Sequence, residues 1–123
     1  MDKNQVVEFA ERYIQESAIA LGGGTVDASR AQIEKLKVFI DTDSQTAWEI
    51  LVFVIERSYK KSDPLFYYIV AGEFEDFVNL YFEKYLDKFM EKIRSSIIWK
   101  EAFGAIYYGP NCEPGLVKLL KTL

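Results

Sequence analysis

Apolar side chains recur at helical spacing along most of the chain, and clusters of glycine, proline and polar residues interrupt them. The first such segment, residues 4–21, predicts an amphipathic helix that ends at the glycine triplet of residues 22–24. A second helix is expected to begin near Ser29, because Ser29-x-x-Gln32 fits a capping box, and to end at the polar residues 41–44. The expected buried positions of these two helices are Val6, Phe9, Ala10, Tyr13, Ile14, Leu21, Ile33, Leu36 and Ile40.

The most apolar segment, residues 46–60, predicts a central helix that is buried on most of its sides. Thr46 and Glu49 have the spacing of a second capping box. Residues 50–55 are rich in β-branched and aromatic side chains, so a strand is the alternative interpretation. The helix is favoured because the pattern runs to Tyr59 without a turn signal and begins at a cap.

Proline and glycine mark further helix boundaries downstream. Asp63 and Pro64 suit the N-cap and the first position of a short helix, which is expected to stop at Gly72. Residues 73–94 follow as an amphipathic segment, with apolar side chains on one side and a bend expected near Phe82.

Two shorter apolar segments complete the pattern. Residues 97–106 form an apolar turn that ends at Gly109 and Pro110, which together are a stop signal. The Glu-Pro pair at 113–114 is expected to open a last helix, whose apolar part is residues 116–120.

The pattern as a whole favours an all-α fold. It contains neither a strict alternation of apolar and polar residues nor a hairpin signal. We expect a single compact domain, residues 1–123, of about six to eight helices around the apolar helix at residues 46–60. A chain of 14.2 kDa suits one domain with one core.

The composition excludes much enzyme chemistry, because the chain has no histidine and only one cysteine, Cys112. Histidine-ligated zinc and nucleophilic catalysis assisted by histidine are thereby excluded, and a lone cysteine forms no intramolecular disulfide. One enzymatic alternative stays open, since paired carboxylates such as Glu73, Glu75 and Asp76 can act without histidine. We nevertheless expect a protein that is not an enzyme, with no catalytic residue, no metal site and no cofactor.

The charge balance argues against a nucleic-acid partner. The chain carries 15 basic and 19 acidic residues, a formal net charge of −4, whereas domains that bind phosphate backbones are basic.

The beginning of the chain lacks the apolar core of a secretory signal. Its longest apolar run, residues 50–55, is far shorter than the roughly 20 residues that span a bilayer. We therefore expect a soluble cytoplasmic protein with no membrane partner.

Residues 64–83 stand apart from the rest of the chain. They hold four acidic residues and no lysine or arginine, so their charge equals the net charge of the protein, and they also hold seven aromatic residues. Aromatic rings that anchor a partner and carboxylates that attract it at long range are typical of a binding surface for a basic protein. The alternative is that most of the rings are core and the acids form a solvated helix face. The candidate partner-binding residues are Tyr67, Tyr68, Glu73, Glu75, Asp76, Tyr81 and Glu83.

This region also resembles a set of small helical bacterial domains of unknown function. Residues 71–78 read Ala-Gly-Glu-Phe-Glu-Asp-Phe-Val, where the signature of those domains reads Ala-Gly-Pro-Leu-Glu-Asp-Leu-Leu. Glu73 thus stands at the proline position and Phe74 at the first leucine position, and Tyr107 stands where the family has a tryptophan. The likeness extends over about residues 44–109 through flanking segments at 47–49, 85–87 and 99–107.

The resemblance implies an all-α fold and a role as an immunity protein beside polymorphic or contact-dependent toxins, and it transfers no catalytic residue. With the small size and the acidic aromatic segment, it leads to one hypothesis. The chain is expected to be a cytoplasmic immunity protein that neutralises a basic bacterial toxin, such as a nuclease, by direct binding. The alternative is a helical adaptor or a self-associating domain that uses residues 116–123.

Overall fold

The computed structural model describes residues 1–24 and 30–123, and every regular element among them is helical. The all-α prediction is therefore confirmed, and the predicted cap at Ser29 lies outside the described residues. None of the helices in the described ranges is long and apolar enough to cross a membrane. The α-helices of these residues are α1 (Lys3–Leu21), α2 (Arg30–Thr42), α3 (Ser44–Ser58), α4 (Pro64–Ile69), α5 (Glu75–Leu80), α6 (Phe82–Ser95), α7 (Ile97–Gly104) and α8 (Glu113–Leu120).

The chain divides into two compact units, residues 1–69 and residues 70–123. In the first unit, α3 packs against α1, α2 and α4. Residues 50–55 are helical, so the strand alternative is wrong, and the central apolar helix is confirmed for this unit. The expectation that the whole chain is one domain stays a prediction. The side chains of α3 with no exposed surface are Ala47, Ile50, Leu51, Val54 and Ile55.

The start of α3 differs from the predicted capping box. Asp43 is the N-cap, and its carboxylate accepts hydrogen bonds from the backbone N–H of Thr46 at 3.2 Å and from its hydroxyl at 2.7 Å. The predicted cap at Thr46 is wrong, because Thr46 is the third residue of a helix that begins at Ser44. A single non-helical residue therefore separates α2 from α3, where the sequence pattern indicated a break of four residues.

The first helix ends at its predicted place, but its last turn is not buried. Gly22 caps α1, and Gly23 takes a φ of +81°, a left-handed backbone that favours glycine. The predicted core positions Val6, Phe9, Ala10 and Tyr13 are buried. Leu21 is exposed instead, because it lies in the turn beyond Ser17, the last buried residue of α1.

The segment that joins the two units follows the proline and glycine signals. Asp63 accepts a hydrogen bond from the N–H of Leu65 at 2.9 Å, and Pro64 is the first residue of α4, as predicted. Residues Val70–Phe74 follow α4, and within them the chain kinks between two helices. Gly72 has non-helical angles, φ −93° and ψ −125°, so the predicted stop at this glycine is confirmed.

In the second unit, α6 packs against α5, α7 and α8. The predicted bend near Phe82 is confirmed one residue earlier, at Tyr81, which separates α5 from α6. The backbone of α8 lies close to α6, since a side chain at Gly115 would meet Leu86 at 2.7 Å. The core of this unit is aromatic, and the rings that it buries are Phe74, Phe77, Phe82, Tyr85, Phe89, Trp99 and Phe103.

Candidate functional site

Asn79, near the end of α5, fixes the loop that follows α7. Its Nδ2 donates to the carbonyl oxygens of Glu75 at 2.9 Å and of Tyr107 at 2.8 Å. Its Oδ1 accepts hydrogen bonds from the N–H of Gly109 at 2.5 Å and from the thiol of Cys112 at 3.4 Å. One amide side chain thus uses both ends to hold residues 107–112 against α5. Gly109 is tightly placed, because a Cβ there would lie 3.1 Å from Oδ1 of Asn79.

The carboxylate of Glu75 completes this attachment. Its Oε1 accepts a hydrogen bond from the N–H of Tyr107 at 2.7 Å. Both backbone polar groups of Tyr107 are therefore bonded to α5, while its ring is 74% exposed. The structure thus presents an exposed tyrosine on a fixed backbone.

Exposed residues of α5 and of the start of α6 lie around Asn79, the residue that holds this tyrosine. Leu80 is 54% exposed, and Asp76 is one helical turn before it on the same face of α5. Leu80, Glu83 and Asn111 border a shallow depression of about 330 Å³, which Asn79 and the cationic Lys84 also line. We call this set, Asp76, Leu80, Glu83, Tyr107 and Asn111, the Tyr107 surface.

The structure places the other predicted acidic residues differently. Glu73 is buried, 9% exposed, just after the kink at Gly72 and next to the fully buried Phe74. Glu75 is half-buried and uses one oxygen to hold Tyr107. The expectation that these two carboxylates face solvent is corrected, because one lies in the interior and the other is part of the loop attachment. Asp76 and Glu83 are exposed as expected.

Tyr81 is half-buried within a cluster of rings. Its ring centroid lies 5.0 Å from that of Phe77 and 6.0 Å from that of Tyr85. The ammonium group of Lys84 lies 5.7 Å from the Tyr81 centroid and 5.6 Å from the Tyr85 centroid, within the range of cation–π contacts. A cation of the chain itself therefore covers part of the ring that was expected to anchor a partner.

Tyr67 and Tyr68 belong to the first unit and are exposed. The ring of Tyr67 packs edge-on against Phe66 at 5.3 Å. Of the seven rings in residues 64–83, four are buried, so the interpretation of most of them as core is confirmed. Those four are Phe66, Phe74, Phe77 and Phe82.

Among the nucleophilic side chains of this region, Cys112 is buried and Tyr108 is half-buried. Burial raises the pKa of the Cys112 thiol and, through desolvation, the pKa of the Tyr108 hydroxyl. The Tyr108 hydroxyl donates to the carbonyl oxygen of Phe103. Within residues 1–24 and 30–123, no group of three or more potential metal-ligating side chains lies together.

Asn79, Leu80, Tyr107 and Asn111 were not predicted as site residues. Asparagine is a poor helix former, so Asn79 within an apolar helical pattern indicates a side chain that forms specific hydrogen bonds. The sequence offers no comparable signal for Tyr107, whose role depends on hydrogen bonds to residues about 30 positions earlier.

Comparisons with protein-family models, with curated proteins and with solved structures return no match to this chain. The resemblance over residues 44–109 to helical immunity-type domains therefore stays a prediction.

Proposed function

We propose that this chain is a non-enzymatic binding protein, a cytoplasmic immunity protein that neutralises a basic bacterial toxin by covering it. The observation that carries the proposal is the Tyr107 surface. It combines an exposed tyrosine on a fixed backbone, an exposed leucine and two exposed carboxylates. The proposal keeps Asp76 and Glu83 from the predicted set and replaces Glu73, Glu75 and Tyr81 by Tyr107 and Leu80. Tyr67 and Tyr68 are exposed but belong to the first unit, so they are not part of this surface.

Tyr107 is suited to anchor a partner. Tyrosine is enriched among the residues that dominate binding energy, because its large ring is apolar and its hydroxyl forms hydrogen bonds. The two hydrogen bonds to its backbone reduce the entropy that binding must cost. Leu80, the residue after Asn79 in α5, adds exposed apolar area.

The charges of this surface favour a basic partner. Asp76 and Glu83 are exposed acids, and the whole chain is acidic at −4. Carboxylates that face the phosphate-binding cleft of a nuclease would stand where nucleic acid binds and would also accelerate association. A basic nuclease toxin is therefore the partner class that this chemistry fits.

The partner is to be sought by pull-down from the native organism with mass spectrometry, and compared with the product of the gene immediately upstream. Support requires a basic protein that is toxic when produced alone and harmless when produced with this chain. Recovery of only non-toxic partners, with no toxin gene beside this one, contradicts the proposal.

The surface is tested with two variants of the isolated pair. Tyr107→Ala and the double variant Asp76→Lys with Glu83→Lys should each weaken binding by at least about tenfold, which corresponds to about 1.4 kcal/mol. The matched control is Glu34→Lys with Asp41→Lys, which makes the same charge change at exposed positions of α2. Glu75 is left unchanged, because its substitution would also release Tyr107. Equal affinity of the wild type and both surface variants assigns binding to another face.

Self-association is the second candidate function, favoured by the exposed apolar side of α8. Leu119 is buried, but Val117 is 63% and Leu120 is 47% exposed. Light scattering should then show a dimer that Val117→Asp with Leu120→Asp converts to monomer, while Ile97→Asp, at a comparably exposed residue of α7, has no effect. A monomer at every concentration excludes this function.

A further inference from the structure

A groove of about 380 Å³ lies between α1 and α2 in the first unit. Its volume is within the range of roughly 300–1,000 Å³ that is typical of small-molecule sites. Phe9 and Phe39 form its aromatic wall, with their rings edge to face at a centroid distance of 5.9 Å. Val38 adds an aliphatic side chain that is 59% exposed. The groove therefore offers an apolar surface that the described parts of the chain leave open to solvent.

Two cations from different helices border this groove. Arg12 of α1 and Lys35 of α2 are both exposed lining residues. Neither forms an ion pair with another described residue, whereas Arg57 and Lys37 do so elsewhere in the unit. Glu8 is the acidic residue of the lining and lies one turn before Arg12 on α1.

Glu16 of α1 is a buried carboxyl near the two cations. Its buried carboxylate accepts a hydrogen bond from the N–H of Gln32 at 3.2 Å. Arg12 and Lys35 are close enough to lower its pKa, although burial raises that pKa overall. Neither cation forms an ion pair with Glu16, and a ligand in the groove meets the two cations and Glu8.

We propose that this groove binds a small amphipathic carboxylate, an aliphatic or aromatic acid of medium size. Its apolar body lies against Phe9, Val38 and Phe39, and its carboxylate lies between Arg12 and Lys35. Arginine suits this task because its planar guanidinium group binds both oxygens of a carboxylate. The proposal is independent of the Tyr107 surface, which belongs to the other unit.

The test is an NMR titration of the full chain with octanoate and with octan-1-ol, a neutral ligand of the same length. Octanoate should shift amide signals of α1 and α2 around the groove and bind about tenfold more tightly than octan-1-ol, because a charge-assisted hydrogen bond is lost in the alcohol. Equal binding of the two ligands, or octanoate shifts spread evenly over both units, overturns the proposal.

Three charge variants and one matched control sharpen the test. Arg12→Gln and Lys35→Gln should each weaken octanoate binding by about five- to tenfold, and Glu8→Gln should strengthen it by about twofold. Lys37→Gln removes an exposed lysine of α2 that does not line the groove and should leave binding unchanged. A loss with Lys37→Gln as large as that with Lys35→Gln shows unspecific attraction and contradicts the site.

A variant that adds a negative charge tests the location of the ligand without removing a cation. Val38 is exposed, so Val38→Glu should fold normally while it introduces a carboxylate at the apolar wall. It should reduce octanoate binding below detection but reduce octan-1-ol binding less, because only the acid is repelled. Unchanged octanoate affinity in this variant overturns the proposed placement of the ligand.

Discussion

At the scale of single residues, Glu16 is the most unusual group of the first unit. Its Oε1 accepts the hydrogen bond from Gln32, but its Oε2 has no hydrogen-bond partner among the described residues. Desolvation raises the pKa of this carboxyl in the folded protein. A raised pKa in the folded state means that folding favours the protonated acid. The stability that this group contributes is therefore present at low pH and is lost as the pH rises through the folded pKa.

The stability of the Glu16→Gln variant relative to the wild type should consequently be higher at neutral pH than at acidic pH. The amide oxygen of glutamine can still accept from Gln32, and the variant carries no charge that must be desolvated. We expect the difference in unfolding free energy between variant and wild type to move in favour of the variant as the pH rises from about 4 to about 7. Urea unfolding at both pH values measures this change. Glu8→Gln, at an exposed position of α1, is the control, and a shift in the opposite direction contradicts the assignment.

Asn79 is the residue on which the Tyr107 surface depends. Asn79→Ala removes the acceptor of the Gly109 N–H and the donor to the Tyr107 carbonyl. We expect a loss of about 1–3 kcal/mol of stability and faster hydrogen exchange at Gly109. Asn111→Ala, at a nearby exposed position, serves as the control. Unchanged protection of the Gly109 amide would show that another group holds the loop.

At the scale of elements, the N-cap of α3 provides the next prediction. Hydrogen bonds from the Thr46 hydroxyl and then from its N–H lower the pKa of Asp43. A lowered folded pKa means that this stabilisation is present above the ordinary aspartate pKa and is lost as the pH falls through the folded value. Asp43→Ala should therefore lower the midpoint of urea unfolding at neutral pH, and the deficit should shrink in acid. The control is Asp41→Ala, and an equal deficit for both variants shows that Asp43 is not the cap.

Most elements were predicted from the sequence because their signals are local. The helix over residues 46–60 and the breaks at Gly72 and near Phe82 follow from apolar spacing and from glycine. The cap of α3 was misplaced because Asp43 and Thr46 are both good capping residues, and only the backbone decides between them. Local spacing indicates where helices lie, but it does not specify which of two nearby polar residues caps the start of a helix.

The candidate site was less predictable, since it depends on contacts between distant parts of the chain. Composition identified residues 64–83 but did not show that Glu73 turns inward. The attachment of Tyr107 to Glu75 and Asn79 joins positions about 30 residues apart, which no periodicity encodes. Exposure of Asp76 and Glu83 was predicted correctly, because acids near helix starts favour solvent and the helix dipole.

For the molecule as a whole, only part of the net charge of −4 is available at the surface of residues 64–83. Of the four acids in residues 64–83, Glu73 is buried and Glu75 is bonded to Tyr107, so Asp76 and Glu83 remain as exposed charges. For the proposed toxin partner, long-range attraction by this segment would therefore depend on these two carboxylates, and Tyr107 should govern the dissociation rate of the complex.

If the carboxylates attract the partner and Tyr107 anchors it, the association and dissociation rates of the proposed toxin complex should respond separately. Stopped-flow association should slow by about tenfold between about 50 mM and 500 mM NaCl, because salt screens charge at long range. Asp76→Asn with Glu83→Gln should flatten that salt dependence and leave the dissociation rate nearly unchanged, since exposed rim charges act mainly on association. Tyr107→Ala should instead raise the dissociation rate and keep the salt dependence of the wild type, because a desolvated anchor acts mainly after contact. A salt dependence that survives the double variant would place the steering charge elsewhere on the molecule and would leave the Tyr107 surface without its electrostatic role.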